Sequence, residues 1–237
     1  MLRSIVIVPL AVIITFFLSA FVVVMDIFSP SQKRSRSVAR LWAKILLRIT
    51  GTKIHVIGLE NVIPDKPQIF MANHQSEFDI LIFLAVIPAD FLWVAKKELF
   101  DIPVFGTAMK KAGYIAVDRK DHIRAMKSVE ESAARLKEGI SIATFPEGTR
   151  SREGKLLPFK QGMFYLAIQT GAPITPVSII GSGRIMPTKS LKINKGDIVM
   201  VIDKPVEVTG YTTETRSSLT EKVRDIVAAN YQKHRME

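Results

Sequence analysis

The first hydrophobic run of the chain extends from Ser4 to Met25 and contains no charged residue. Its 22 residues would reach roughly 33 Å as a helix, which is enough to cover a bilayer core. A secretory signal peptide is the competing interpretation, but its apolar region usually has about 7 to 15 residues, and no small-residue cleavage pattern follows here. Pro9 lies inside the run and leaves two arrangements open, a helix that crosses the bilayer and one that enters a single leaflet. The uncharged length favours the crossing.

An amphipathic pattern follows a polar break at residues 29–31. Its apolar residues recur at helical spacing: Val38, Leu41, Trp42, Ile45, Leu46 and Ile49. Its basic residues repeat every fourth position on another face: Arg36, Arg40, Lys44 and Arg48. This pattern is typical of a helix in the headgroup region with its cations toward anionic lipid, and a core-packing helix with a solvated basic face is the alternative. The preceding apolar run favours the first, so we assign residues 1–50 to a membrane anchor.

Beyond residue 50, short β-rich runs alternate with helical patterns. The predicted strands are Lys53–Gly58, Gln68–Ala72, Phe91–Ala95, Tyr114–Val117, Ser141–Phe145, Ile174–Ile180 and Ile198–Ile202. The predicted helices are Glu77–Ile87, His122–Lys137, Gly162–Thr170 and a C-terminal helix with Leu219, Val223, Ile226 and Val227 on one face. The alternation predicts an α/β fold for residues 51–237, with a mixed, largely buried sheet flanked by helices.

Charge and composition narrow the possible partners. Lys and Arg total 33 against 22 acidic residues, a net charge of +11. Residues 1–50 hold seven basic residues and one acidic residue, Asp26, so the excess flanks the apolar run and indicates a membrane surface rather than nucleic acid. The positive-inside rule then places residues 30–237 in the cytoplasm, at the inner membrane. The chain has no cysteine, which excludes disulfides, thiolate metal sites and a cysteine nucleophile.

The strongest chemical signal follows the strand Gln68–Ala72. His74 lies in a predicted strand-to-helix loop, and Asp79 lies one turn into the next helix. A carboxylate bonded to one ring nitrogen fixes the tautomer and leaves the other nitrogen to accept a proton from an alcohol. The spacing alone is weak, because His55 and Glu60 share it, and Asp79 could equally cap its helix with Ser76. No G-x-S-x-G pattern is present, which favours direct attack by a substrate hydroxyl over an acyl-serine intermediate.

A second motif, Phe-Pro-Glu-Gly-Thr-Arg-Ser at 145–151, follows another predicted strand. With Asn73, His74 and Asp79, it resembles the glycerolipid acyltransferase family, and within it the bacterial 1-acylglycerol-3-phosphate (lysophosphatidic acid) acyltransferases. The motif continues through Arg152, Gly154, Pro158, Phe159, Lys160 and Gly162. Lys96 and residues 113–119 resemble another block of the family, although Ala116 stands where many members carry a larger residue. Residues 174–177 match a further block more loosely.

The resemblance implies that His74 is a general base oriented by Asp79. It also implies an acceptor site, to which we assign Glu147, Gly148, Thr149, Arg150, Arg119 and Lys96. The two arginines can grip a phosphate bidentately and Lys96 can add a point charge. Thr149 and Ser151 could instead order their loop through backbone bonds. The segment Phe91, Trp93, Phe100, Pro103 and Phe105 is predicted to be core, with an apolar rim near acyl chains as the alternative.

The expected reaction moves an acyl group from acyl-CoA or acyl-acyl carrier protein to the sn-2 hydroxyl of lysophosphatidic acid and yields phosphatidic acid. The resemblance implies neither a metal nor a tightly bound cofactor. It leaves open which thioester is the donor. Glycerol-3-phosphate or another lysophospholipid is an alternative acceptor, and a non-catalytic membrane-binding protein is the alternative from another class.

Overall fold

The computed structural model describes residues 2–152 and 155–234, which form eight α-helices, seven β-strands and two short 3-10 helices. The α-helices are α1 Leu2–Phe28, α2 Gln32–Thr50, α3 Phe78–Val86, α4 Phe105–Lys111, α5 His122–Lys137, α6 Gly162–Thr170, α7 Ser182–Ile185 and α8 Arg216–Lys233. The strands are β1 Lys53–Ile57, β2 Ile69–Ala72, β3 Phe91–Lys96, β4 Ile115–Val117, β5 Ser141–Thr144, β6 Ile174–Ile180 and β7 Asp197–Ile202. The 3-10 helices are Leu59–Asn61 and Lys97–Asp101.

The seven strands form one sheet in the order β1-β7-β6-β2-β5-β3-β4. Neighbouring strands are parallel, except that β6 and β7 are antiparallel. Helices cover both faces, so the predicted mixed, largely buried sheet is confirmed. Parallel strands end at the same edge, which brings the loops after β2, β4 and β5 together.

Strand β2 shows why the sheet strands are continuously apolar. Successive side chains of a strand point to opposite faces. Phe70 and Ala72 belong to the core layer shared with α1, α2 and α3. Ile69 and Met71 belong to the opposite layer, shared with α5, α6 and α8. Both faces are therefore buried, and no position of the strand favours a polar residue.

Helix α1 lies along the domain and is attached to it at both ends. Ser4 Oγ accepts a hydrogen bond of 2.9 Å from the backbone N–H of Ile193. Near the other end, Asp26 Oδ2 lies 2.6 Å from Lys111 Nζ of α4. Among the described residues, α1 is the one helix long and apolar enough to cross a membrane, and only 17% of that stretch is buried. Its exposed apolar side chains include Ile5, Val6, Val12, Ile13, Phe16, Phe17, Phe21, Val24, Ile27 and Phe28. An exposed apolar face of this size indicates association with a membrane.

The basic face of α2 corrects the prediction that its four cations point to lipid. Arg36 is buried and forms a two-pronged hydrogen bond with Asp90, at 2.7 and 2.6 Å. It also donates to the carbonyl of Ala112 at 3.0 Å. Arg40 donates to carbonyls just after α3, including that of Ile87. The C-terminal turn of a helix has carbonyls without helical partners, and these attract the arginines. Only Lys44 and Arg48 of this face are exposed.

Two elements between β3 and β4, the 3-10 helix Lys97–Asp101 and α4, were not predicted. The two elements pack closely at Gly106, because a Cβ on this residue would lie 2.2 Å from Phe100 O.

The aromatic residues between positions 91 and 105 were predicted to be core. The prediction is correct for Phe91, Trp93 and Phe100, which are buried. Pro103 is exposed and Phe105 is half-buried.

Candidate active site

The loop between β2 and α3 brings His74 against Asp79. His74 Nδ1 lies 2.8 Å from Asp79 Oδ2, so the hydrogen bond suggested by the spacing is present. Asp79 is fully buried, and the same oxygen accepts the backbone N–H groups of Gln75 at 2.6 Å and Ser76 at 2.8 Å. Asp79 therefore orders the backbone of the loop and holds the imidazole at the same time. The carboxylate accepts from Nδ1–H, which leaves Nε2 of the neutral ring as a proton acceptor.

The imidazole is also held by stacking. The His74 ring lies parallel to the Phe145 ring, with centroids 3.9 Å apart and an interplanar angle of 7°. Phe145 in turn stacks on Trp93 at 4.8 Å. The side chain of His74 is 11% exposed, so the ring is fixed but open to the cavity described below.

The alternative pair from the sequence has a different arrangement. His55 Nε2 lies 3.2 Å from Asp197 Oδ2 rather than bonding to Glu60, and both side chains are largely exposed. His55 belongs to β1, which lies at the edge of the sheet. The two histidines with the same downstream spacing thus differ in burial and in partner.

Asn73, next to His74, fixes the loop to the neighbouring strand β6. Its amide nitrogen donates to the carbonyl of Ile179 at 2.8 Å, and its amide oxygen accepts the Ile179 N–H at 2.7 Å. The amide group thus forms the pair of backbone hydrogen bonds that a residue of a neighbouring strand would form. Asn73 is part of the motif, but its partner Ile179, 106 positions away, could not be inferred from spacing.

Glu147 joins the two motif loops. Its carboxylate accepts the backbone N–H of His74 at 2.7 Å and that of Leu157 at 2.9 Å. A further bond of 2.7 Å runs from the N–H of Ser151 to the carbonyl of His74. Burial raises the pKa of Glu147 to about 7. Both oxygens are therefore bonded to backbone groups of the two motif loops.

Two arginines, Arg119 and Arg150, line the same cavity as His74. Arg119 Nη1 donates to the carbonyl of Gly148, and Arg150 Nη1 donates to Glu77 Oε1. A guanidinium has five N–H donors, so each keeps donors for a ligand. Glu77 is not among the predicted site residues, although it stands between His74 and Asp79 in the sequence.

Lys96, Gly148 and Thr149 also line this cavity. Lys96 Nζ lies 3.3 Å from Glu98 Oε1, and its side chain is 49% exposed. Gly148 has φ of +71°, and a Cβ there would meet Lys160 Cε at 2.8 Å. The turn therefore requires glycine. All the expected acceptor residues except Glu147 lie at one cavity, while Gly154 of the same motif lies outside the described residues.

The cavity has a volume of about 860 Å³ and extends from His74 between α1, α2 and α4. Its charged residues, Glu77, Lys96, Arg119 and Arg150, line it together with His74, and its remaining walls are mostly apolar, with Phe16, Trp42, Trp93 and Phe105 among them. The size and character are typical of a site for a largely apolar ligand. The sequence placed α1 and α2 in an anchor but did not indicate that they form the walls of this cavity.

A model of the Acyltransferase family matches residues 53–180, which include every candidate residue above. The chain belongs to the Acyltransferase family. A chloroplastic 1-acyl-sn-glycerol-3-phosphate acyltransferase of Brassica napus is 38% identical over 177 residues, covering 74% of this chain and 51% of that protein. One from Arabidopsis thaliana is 35% identical over 203 residues, covering 83% of this chain and 56% of that protein. The chain thus spans about half the length of these curated relatives.

A solved structure resembles this chain over its whole length. The 1-acyl-sn-glycerophosphate (LPA) acyltransferase of Thermotoga maritima has a TM-score of 0.84 and 28% identity, with 100% of this chain and 97% of that chain covered. The likeness therefore includes α1 and α2, which precede the segment matched by the family model.

Proposed function

We propose that this chain is a membrane-associated acyltransferase that transfers a fatty acyl group from a thioester to the sn-2 hydroxyl of lysophosphatidic acid. The observation that carries the proposal is the buried His74–Asp79 hydrogen bond at the polar end of a large apolar cavity. The activities for which the relatives are named support the acceptor. Basic groups at the polar end suit a phosphate, and apolar walls suit an acyl chain.

His74 acts as the general base in this proposal. Nε2 takes the proton of the acceptor hydroxyl while the hydroxyl oxygen attacks the thioester carbonyl carbon. The tetrahedral intermediate then expels the thiolate as the C–S bond breaks, and the imidazolium returns its proton to the sulfur. Asp79 stabilises the imidazolium and keeps the ring in place. The products are phosphatidic acid and a free thiol, and the chemistry requires neither a metal nor a bound cofactor.

The acceptor phosphate is proposed to bind between Arg119 and Arg150, with Lys96 adding charge and the Gly148–Thr149 turn lining the site. Both guanidinium groups lie on the cavity wall with His74. Arginine suits this role because its planar fork matches two phosphate oxygens at once. Glu147 is proposed to act indirectly, by holding the backbone of His74 in position.

The anchoring mode is proposed from the two ends of α1. Because Ser4 and Asp26 both contact the domain, we propose that α1 lies within one leaflet, in place of the crossing that the sequence favoured. The catalytic region then faces the cytoplasm at the inner membrane, as the basic excess of residues 1–50 suggests. A tag placed before Met1 tests this. Protease on the catalytic side should remove the tag, and removal only from the opposite side would indicate a spanning helix.

The reaction is tested with purified protein, a panel of acceptors and both thioester donors. Lysophosphatidic acid, glycerol-3-phosphate and a zwitterionic lysophospholipid are each supplied with acyl-CoA or acyl-acyl carrier protein. We expect thiol release and phosphatidic acid with lysophosphatidic acid. Preference for another acceptor would overturn the substrate assignment but keep the chemistry. Absence of thiol release with every pair would favour the non-catalytic alternative.

A further inference from the structure

The segment Met186–Gly196, between α7 and β7, carries an exposed cluster of lysines. We call it the lysine loop. It contains Lys189, Lys192 and Lys195 and no acidic residue, and all three side chains are exposed. Between them stands Leu191, which is 67% exposed. An exposed leucine flanked by cations is the combination found where a protein surface meets the interface of an anionic bilayer.

The lysine loop is adjacent to the membrane-facing helix. The N–H of Ile193 donates to Ser4 Oγ at 2.9 Å, at the start of α1. Ile193 is buried in the same apolar cluster as Ile7 of α1. Leu191 and Ile193 also line the large cavity together with α1. The lysine loop therefore lies against the N-terminal end of α1.

The lysine loop is also hydrogen-bonded to the loop between β2 and α3, which carries His74. Ser76 Oγ donates to the carbonyl of Met186 at 2.8 Å, and Thr188 Oγ1 donates to the carbonyl of Gln75 at 3.1 Å. Its other end is held by Asn194, whose N–H donates to the carbonyl of Ile185 at 2.8 Å. The lysines thus extend from an ordered base that touches the residues next to His74.

We propose that the lysine loop is a second membrane contact, in which the three lysines bind anionic headgroups and Leu191 enters the interface. The proposal rests on the proposed membrane residence of α1, and it is independent of the acceptor. Each Lys at an anionic leaflet is worth about fivefold in a binding equilibrium, so three together contribute roughly 100-fold. Docking of this loop should therefore depend on anionic lipid, whereas insertion of the uncharged run of α1, residues 4–25, should not.

The absence of cysteine allows single nitroxide labels to report depth. Cysteine is placed at Leu191, at Phe17 on the exposed face of α1, and at Ala229, exposed on α8 across the sheet. The full chain is bound to vesicles of phosphatidylcholine alone or with phosphatidylglycerol. Oxygen partitions into bilayers and a nickel chelate stays in water, so their relaxation effects distinguish lipid from aqueous positions. We expect label 17 to be in lipid in both vesicles, label 191 only in the anionic ones, and label 229 in neither.

A charge-matched comparison isolates the lysines. In the Leu191→Cys background, Lys189→Gln, Lys192→Gln and Lys195→Gln together should return label 191 to water on anionic vesicles. Lys137→Gln, Lys204→Gln and Lys233→Gln remove the same charge from other exposed positions and should leave label 191 in lipid.

Four results would overturn the lysine-loop proposal. Label 191 could stay aqueous on anionic vesicles while label 17 is in lipid, which would leave the membrane residence of α1 intact. Label 17 could itself be aqueous, which would reject that residence as well. Label 191 could enter lipid regardless of lipid charge or lysine content. Lastly, inorganic phosphate without vesicles could immobilise label 191, which would indicate a site for soluble phosphate.

Discussion

In the loop that carries His74, the hydrogen bonds of Asp79 join residues a few positions apart, whereas α1 and α2 are held to the domain by contacts across long stretches of sequence. Asp79 bonds to His74, Gln75 and Ser76 within one turn of chain. Arg36 of α2 instead reaches Asp90, 54 positions away. Local geometry can be inferred from spacing, but a distant partner cannot. This difference explains why the His74–Asp79 hydrogen bond could be expected from the sequence, whereas the partner of Arg36 could not.

The largest expected effect is that of His74→Ala. Removal of a general base should lower turnover by roughly 100-fold to 10,000-fold. Asp79→Asn should have a smaller effect, because the base remains although its orientation weakens. Turnover is measured as thiol release, and vesicle association of the variants is measured in parallel and should be unchanged.

His55→Ala is the matched control, because His55 has the same downstream spacing to a carboxylate but lies exposed beside Asp197. It should retain nearly full activity. Equal losses in His55→Ala and His74→Ala would remove the distinction between the two sites, and full activity in His74→Ala would contradict the catalytic assignment.

The agreement over the His74–Asp79 hydrogen bond has a physical basis. A strand followed by a tight loop and a helix restricts where His74 and Asp79 can lie, so their hydrogen bond could be expected. The orientation of Glu147 could not be inferred, because its partners are backbone N–H groups that every residue except proline offers. The same is true of Arg40, whose partners are carbonyls after α3. Patterns indicate which side chains are polar, but not which backbone groups need a partner.

The second prediction concerns the proposed phosphate ligands. Arg119→Lys and Arg150→Lys should each raise the KM for lysophosphatidic acid by about tenfold or more, because an ammonium cannot reproduce the bidentate fork. Arg135→Lys on α5 is the control. Arg135 Nη1 lies 2.9 Å from Glu138 Oε2, and Arg135 does not line the cavity. Initial rates over a range of acceptor concentrations measure this. An effect confined to the KM of the thioester would mean that the phosphate binds elsewhere.

The third prediction tests the long-range contacts of the anchor. Arg36→Gln removes the two-pronged bond to Asp90, whereas Lys44→Gln alters an exposed cation of the same helix face. Loss of a buried partner costs about 3 to 5 kcal/mol, but the Asp90 side chain is 37% exposed and water reduces the penalty to roughly 2 kcal/mol. Thermal unfolding in detergent should show a lower Tm for Arg36→Gln alone. Equal Tm values would indicate that α2 is held by its apolar side chains.

The smallest effect on turnover is expected for Glu147→Gln. The ionised carboxylate accepts two N–H groups, whereas the amide nitrogen of glutamine cannot accept either of them. We expect a loss of about fivefold in kcat, since a single hydrogen bond contributes roughly 1 kcal/mol. Glu130→Gln, at an exposed position of α5, should leave kcat unchanged. A loss that appeared only as a higher KM for the acceptor would instead favour direct contact between Glu147 and substrate.

The pH dependence of stability provides a second test of Glu147. Burial raises its pKa to about 7, whereas a glutamate in the unfolded chain titrates near about 4.3. Between these values the folded state binds the proton more tightly, so the free energy of unfolding should fall as pH rises from about 4.3 to 7. The tighter proton binding contributes on the order of 3 kcal/mol to the free energy of unfolding. This contribution is fully present below about pH 4.3 and is lost above about pH 7. Glu147→Gln should flatten this part of the profile, because an amide does not titrate. An unchanged slope in the variant would mean that other groups cause the decline and that the two loops are joined at little electrostatic cost.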